Sequence, residues 1–215
     1  MGLANYTELV ASIQDWTIRS DSAFAAVVPD FIKLAEDRIF LGSEGEGTEP
    51  LRVKEMQTDT SVSFTAGVSG LPANFLESIA LTRPGDKYGL DFSPASRFEV
   101  EKSLLDSGGN PGYFTIKNSA IELAPSWDGS LDLYYYGRPN AITSGNSTNA
   151  VLTAYPAIYL NACLVAAFDW IQDEEQSAKY LTKTNSAIIG ANNVTSKGQR
   201  SGVNKRLKVR PRGVV

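Results

Sequence analysis

Few groups in this chain are equipped for chemistry. Among its 215 residues there is no histidine, which removes the commonest general base, the proton switch near neutral pH and the commonest metal ligand together. The one cysteine, Cys163, has no histidine to take its proton and stands in an apolar helical stretch, so it reads as an inert core thiol. A single cysteine builds neither an internal disulfide nor a zinc cluster. Glu99 with Glu101, and Asp173 with Glu174 and Glu175, suggest acid/base or calcium chemistry by type alone. The first pair falls on the surface of an amphipathic helix and the second group at a helix start, where acids complement the dipole; both read as solvated charge. Tyr134, Tyr135 and Tyr136 offer a stacking platform for sugars or bases. Strand alternation sends the outer two to one face and the middle one to the other, the pattern of a packed ring with an exposed neighbour. Gly42, Gly45 and Gly47 follow a helix instead of preceding one, and Glu44, Glu46 and Glu49 among them would repel phosphate, so no nucleotide loop is read there. No catalytic residue, metal site or cofactor is assigned.

The feature with functional weight is charge layout. All 24 acids lie at or before Glu175 against 11 bases, a balance of −13, and nine bases follow with no acid. Residues 197–212 hold Lys197, Arg200, Lys205, Arg206, Lys208, Arg210 and Arg212, with Leu207 and Val209 alternating among the last of them. Three readings stand side by side: a solubilising end, an arm that contacts nucleic-acid phosphates, and an extended strand or strap added to an acidic neighbouring protein. The apolar and basic alternation favours the last.

The elements that must carry these residues change character along the chain. Over 5–19, Tyr6, Leu9, Val10, Ile13 and Trp16 recur at helical spacing. Val28-Pro29-Asp30-Phe31 predicts the start of a second helix with proline in its first turn, striped by Phe31, Leu34, Ala35, Arg38 and Ile39 and stopped by Gly42. The acidic, glycine-rich segment 42–50 is expected to be a mobile surface loop rather than a folded element. After Pro50 the period becomes alternating, as at 61–64 and 75–81. Residues 112–117 and 120–123 predict two strands joined by an Asn118-Ser119 hairpin turn, and Trp127-Asp128-Gly129-Ser130 turns into a strand at 131–136; the three are expected to form a meander. Ser93, as N-cap, and Pro94 open a short helix to Leu104 that covers one face of the sheet. Tyr155-Pro156 opens the most apolar helix, through Tyr159, Leu160, Cys163, Leu164, Ala167, Phe168 and Ile171. Another runs from Asp173 to about Gly190, and beyond Gly198 an extended arm is expected.

The fold class is therefore α+β: a bundle made by N- and C-terminal helices, with an inserted antiparallel β subdomain and a C-terminal arm. The expected divisions are 1–50, 51–145, 146–196 and 197–215. Hydrophobic residues at 42% and charged residues at 20% are ordinary for a chain that folds in water. The start of the chain lacks a basic region followed by an apolar core, and Tyr6 breaks a myristoylation pattern, so neither leader nor lipid anchor is expected. The longest apolar stretch, 157–168, is interrupted by Asn161 and too short to span a bilayer.

The order of segments resembles the head-to-tail adaptor (neck or connector) proteins of tailed bacteriophages, the short-tailed type in particular. The residues that carry the resemblance are Tyr6-Thr7-Glu8-Leu9 with Asp15-Trp16 and Arg19-Ser20-Asp21; residues 28–39; Leu71-Pro72-Ala73-Asn74-Phe75-Leu76-Glu77; Gly112-Tyr113-Phe114; Ile121-Glu122-Leu123-Ala124-Pro125; Trp127-Asp128-Gly129; the strand ending at Tyr136; and Tyr155-Pro156. The acidic glycine-rich segment has no counterpart in that pattern. The resemblance implies a non-enzymatic virion protein of the neck, between capsid and tail, assembled in the host cytoplasm. It implies a ring, dodecameric to match the portal protein, that extends the DNA channel without sequence-specific binding and presents a platform for tail or nozzle proteins, with no membrane. The binding residues expected for the portal or a neighbouring subunit are Lys197, Arg200, Lys205, Arg206, Leu207, Lys208, Val209, Arg210 and Arg212. The main alternative is a nucleic-acid-binding module acting through the same arm. A third is a carbohydrate-binding or hydrolytic tail component with its site on the β insertion.

Overall fold

The computed structural model describes residues 3–85, 89–105 and 109–200, side chains at 199 and 200 excepted. In chain order the elements are α1 (Tyr6–Thr17), α2 (Ser22–Leu41), β1 (Gln57–Phe64), β2 (Val68–Gly70), β3 (Phe75–Thr82), β4 (Asp91–Phe92), α3 (Ala95–Leu104), β5 (Tyr113–Lys117), β6 (Ala120–Ala124), β7 (Gly129–Gly137), α4 (Ala150–Ala154), α5 (Pro156–Ile171) and α6 (Glu174–Arg200). Two short 3-10 turns, Glu44–Glu46 and Lys54–Met56, separate α2 from β1. The class is α+β, as expected. The chain forms two compact units, one from the segment up to Lys54 together with the segment from Tyr155 onward, the other from Glu55–Ala154.

The first unit is helical. Asn5 caps α1, its Oδ1 accepting from the Glu8 N–H at 3.0 Å, and Leu9 and Ile13 are the stripe it buries. Helix α2 begins at Ser22, not at Val28: the Asp21 carboxylate accepts from the Phe24 N–H at 3.0 Å, and Phe24 and Val28 extend the buried face one turn and more toward the N-terminus. Pro29 therefore sits inside the helix, on its exposed side. Gly42 ends α2 at φ 75°, where a Cβ would lie 2.7 Å from the Thr48 carbonyl. Helix α5 starts with Pro156 in its first turn and buries ten side chains, Cys163 among them; it packs on α1, α2 and α6. Helix α6 begins at an Asp173 cap, whose Oδ1 accepts from the Gln176 N–H at 3.1 Å. It runs ten residues past the expected end near Gly190. Ser177, Tyr180, Thr184, Ile188, Ala191 and Thr195 are buried at three- and four-residue steps, a continuous stripe that is largely hydroxyl and methyl rather than aliphatic.

Segment 42–50 is folded, contrary to expectation. Arg38 donates from Nε and Nη2 to the two carboxylate oxygens of Glu46 at 2.7 and 2.9 Å, and Ser43 bridges to Thr48. Two asparagines of α6, seven residues apart, complete the closure. Asn185 Oδ1 accepts from the Thr48 hydroxyl at 2.7 Å and its amide donates to the Glu46 carbonyl at 3.2 Å. Asn192 accepts from the Arg52 N–H at 2.7 Å and donates to the Pro50 carbonyl at 3.1 Å. Polar side chains that satisfy backbone groups order a segment whose composition alone reads as solvated.

The second unit is a pair of packed sheets, ordered β1-β7-β3 and β2-β6-β5-β4. Every ladder is antiparallel except the two-residue β4 on β5. The hairpin falls where the sequence puts it, with Asn118 and Ser119 both at positive φ, as a two-residue type I′ turn requires. The meander does not form. Strand β7 leaves β6 for the other sheet, where it pairs on both sides, with β1 and β3. Pro125, directly after β6, has no N–H to continue the ladder. Gly129, at φ 146°, starts β7 under the Trp127 ring, 2.2 Å from where a Cβ would stand. Val62, Phe64, Leu81, Phe114, Ile121, Leu123, Leu131, Leu133 and Tyr135, drawn from both sheets, form the core. Tyr135 is buried and Tyr134 is 43% exposed, the division that alternation predicts. Helix α3 covers β5 and β6 through the buried Phe98. Its cap position is Pro94 without a side-chain bond, and Ser93 is buried with its N–H donating to the Phe114 carbonyl at 2.9 Å and its hydroxyl without a partner.

Proline in a helix interior is about 3 kcal/mol worse than alanine, offset by up to about 1 kcal/mol through the unfolded chain. Pro29→Ala is expected to raise stability by about 2 kcal/mol, read as a higher urea midpoint at unchanged slope.

Candidate assembly surfaces

The groups weighed for chemistry are all engaged structurally. Cys163 is fully buried, and burial pushes its thiol well above the usual range. Glu99 accepts from Lys117 Nζ at 2.6 Å and Glu101 from Arg97 Nε at 2.8 Å, while Lys117 also reaches Glu122 at 3.1 Å. Asp173 caps α6, and Glu174 and Glu175 occupy its first turn. Among the described residues no three His, Cys, Asp or Glu side chains cluster as a metal site. Glu36, buried on α2 and accepting from the Tyr159 hydroxyl at 3.3 Å, is a polar core residue that its place in the α2 stripe did not reveal.

Of the predicted binding residues, Lys197 is an exposed side chain on α6 and Arg200 is that helix's last residue. Lys205, Arg206, Leu207, Lys208, Val209, Arg210 and Arg212 lie outside the described residues. The basic cluster therefore starts on a helix, where an extended arm was expected from 197.

What sequence reading missed is a set of exposed apolar side chains. In the helical unit, Leu34, Leu41 and Trp170 are each about half exposed along a groove of about 480 Å³ between α2 and α5, with the Arg38–Glu46 pair and Asp169 in its wall. One guanidinium nitrogen there, Arg38 Nη1, is buried without a hydrogen-bond partner. Ile18 is 92% exposed at φ 53°, a left-handed conformation that costs a branched residue about 1–2 kcal/mol. In the sheet unit, Ile79 and Phe92 flank a second groove of about 440 Å³, walled by β3, β4, Leu90 and Phe114. Val100 and Leu104 are exposed on α3. Periodicity assigns such residues to a stripe, but it does not say how wide the covered part of the stripe is.

Exposed apolar patches mark places where other chains, membranes or ligands are bound. The sequence model of one family, described as SU10 adaptor protein, matches residues 4–207. The chain belongs to the SU10 adaptor protein family. It is a phage structural adaptor, the coarse form of the reading that segment order suggested. The match runs through both units and past the end of α6 to Leu207. No curated protein matches the chain.

The Arg38 guanidinium, donating to Glu46, holds that carboxyl below its ordinary range. A lowered native pKa stabilises the fold above the unfolded carboxylate value, and that contribution disappears as pH falls through the native one. Glu46→Gln is thus expected to be destabilised at neutral pH, with the difference from the parent chain fading on acidification below the carboxylate range. Denaturation curves at stepped pH read this. Ile18→Gly removes the left-handed strain and is expected to gain about 1 kcal/mol in the isolated protein, seen as a raised melting temperature.

Proposed function

We propose that this adaptor assembles as a ring beneath the portal protein of a short-tailed phage, in the virion neck. The ring is dodecameric to match the portal, extends the DNA channel and offers its free side to tail or nozzle proteins. The family match over 4–207 carries this reading. The exposed apolar grooves on each unit support it, since a ring interface is heterologous and needs two unlike patches on one subunit. The −13 balance up to Glu175 suits a wall past which duplex slides, because clustered cations there would hold phosphates. No helix among the described residues is long and apolar enough to cross a membrane.

In this reading the cations from Lys197 to Arg212 dock the ring on the portal or on a neighbouring subunit. The described part of α6 ends at Arg200, so a chain ending there keeps it and removes residues 201–215, Lys205, Arg206, Leu207, Lys208, Val209, Arg210 and Arg212 among them. Full-length protein mixed with portal is expected to sediment as one ring-sized complex at physiological salt, and the shortened chain to stay unassociated. Normal assembly by the shortened chain would overturn the role given to the arm. Salt-dependent duplex binding by free full-length protein, lost on shortening, would favour the nucleic-acid module instead.

A further inference from the structure

Helix α6 commits only one side to its own bundle, the stripe from Ser177 to Thr195. The opposite side is exposed from Lys179 to Lys197, and the chain has no acid beyond Glu175. Two apolar side chains stand on that outer face, Ile189 at 43% and Val194 at 67% exposure. Five residues apart, they lie about 140° from one another around the helix, and the arc between them holds Lys183, Gly190 and Lys197. Lys183 is held over the Tyr180 ring, 4.7 Å from its centroid. A Cβ at Gly190 would meet nothing within 4 Å, and the backbone there is not left-handed. Neither space nor conformation within the subunit calls for glycine, one of the poorest helix residues. What glycine does provide is close approach of another chain to the helix backbone.

The groove of about 480 Å³ between α2 and α5 is the complementary half. Leu34, Leu41 and Trp170 expose their side chains along it. Of the charges in its lining, Arg38 and Glu46 neutralise each other at 2.7 Å, and Asp37 is already engaged. Asp169, exposed on α5, is the charge the groove offers. An occupant that fits is a helix face with apolar flanks, cations and no acid, which is the character of the outer face of α6. Groove and face belong to different helices of one compact unit, so a single copy can present its face to one neighbour and receive another neighbour's face in its groove.

We propose that the outer face of α6 in one subunit seats in the α2–α5 groove of the next copy of this chain. Ile189 and Val194 cover Leu34, Leu41 and Trp170, Gly190 lets the helix settle close, and the lysines of the face supply the countercharge to Asp169. Because the two patches are unlike, the contact is heterologous and repeats from subunit to subunit around a ring. The inference rests on the ring reading above and names, within it, the junction between neighbours.

Two readouts on the full chain test it. Gly190→Gln places a better helix former in open space, so it is expected to raise the melting temperature of the free protein while ring formation with portal is lost. Leu34→Cys is combined in turn with Ile189→Cys, with Val194→Cys and, as an exposed control on the sheet unit, with Val100→Cys; Cys163 is buried and takes no part. Each protein is assembled with portal, its mass measured, oxidised and run without reductant. The expected result is a ladder of disulfide-linked subunits from position 189 or 194 and none from position 100. A stabilised Gly190→Gln chain that still forms the ring overturns the junction and leaves the adaptor ring standing. So does a ring of normal mass with no ladder from either α6 position, with an equal ladder from the control, or with linkage confined to single subunits. Failure of the parent chain to form any ring overturns both.

Discussion

Ten of the sixteen side chains of α5 are buried, and a helix apolar around most of its circumference has to be covered from several directions at once. The cover comes from α1 and α2 on one side of the sequence and α6 on the other. The helical unit therefore cannot close until segments separated by a hundred residues of sheet have met. Loop closure costs grow only slowly with length, so an insertion of that size is tolerated if it folds on its own account. The nine buried core residues of the second unit come from two sheets and all lie within Glu55–Ala154.

The same need for cover explains the asparagine pair of α6. Once α2 ends at Gly42, the chain leaves the bundle through a part-buried stretch in which Thr48, Leu51 and Val53 are buried, and Leu51 still donates to the Ile39 carbonyl at 2.8 Å. Asn185 and Asn192 each offer one acceptor and one donor to that stretch. An aliphatic residue at Asn185 would remove the bonds to the Thr48 hydroxyl and the Glu46 carbonyl, and one at Asn192 the bonds to the Arg52 N–H and the Pro50 carbonyl, each worth about 1 kcal/mol. The bidentate Arg38 and Glu46 pair acts at the same turn from the other side, and with only 13% and 34% of the side chains exposed it is better placed than a surface pair.

Legibility in the sequence follows the strength of each physical signal. The α1 stripe, the apolar α5, the hairpin at Asn118 and Ser119 and the split between Tyr134 and Tyr135 rest on periodicity or on turn chemistry, both local properties. The misreadings share a cause. Pro29 reads as a helix opener because proline is usual in a first turn, yet Asp21 caps earlier and tertiary burial of Phe24 and Val28 outweighs the propensity cost. Segment 42–50 reads as mobile because its partners lie some 140 positions away in α6. That helix is cut short at Gly190 because Thr184 and Thr195 carry no hydropathy, although their methyl groups are buried. Which sheet receives β7 is a long-range choice that no window of sequence contains. The exposed grooves are hidden for the complementary reason, since an apolar residue looks alike whether its neighbours cover it or leave it open.

An adaptor's sequence has to satisfy two folding problems, the subunit's own and that of the assembly, and they pull on the same residues. Ile18 shows the conflict: nothing in the isolated chain rewards a branched, solvent-facing side chain at φ 53°, where glycine would be unstrained. Arg38 shows it inside a groove, with Nη1 buried and unpartnered beside exposed Leu34, Leu41 and Trp170. A buried donor left alone is costly, and this one lies beside apolar side chains that stay exposed. Local inconsistencies of this kind are where a chain's function departs from its own stability. In this protein they fall on the surface side chains Ile18, Leu34, Leu41 and Trp170 of a chain that belongs to an adaptor family.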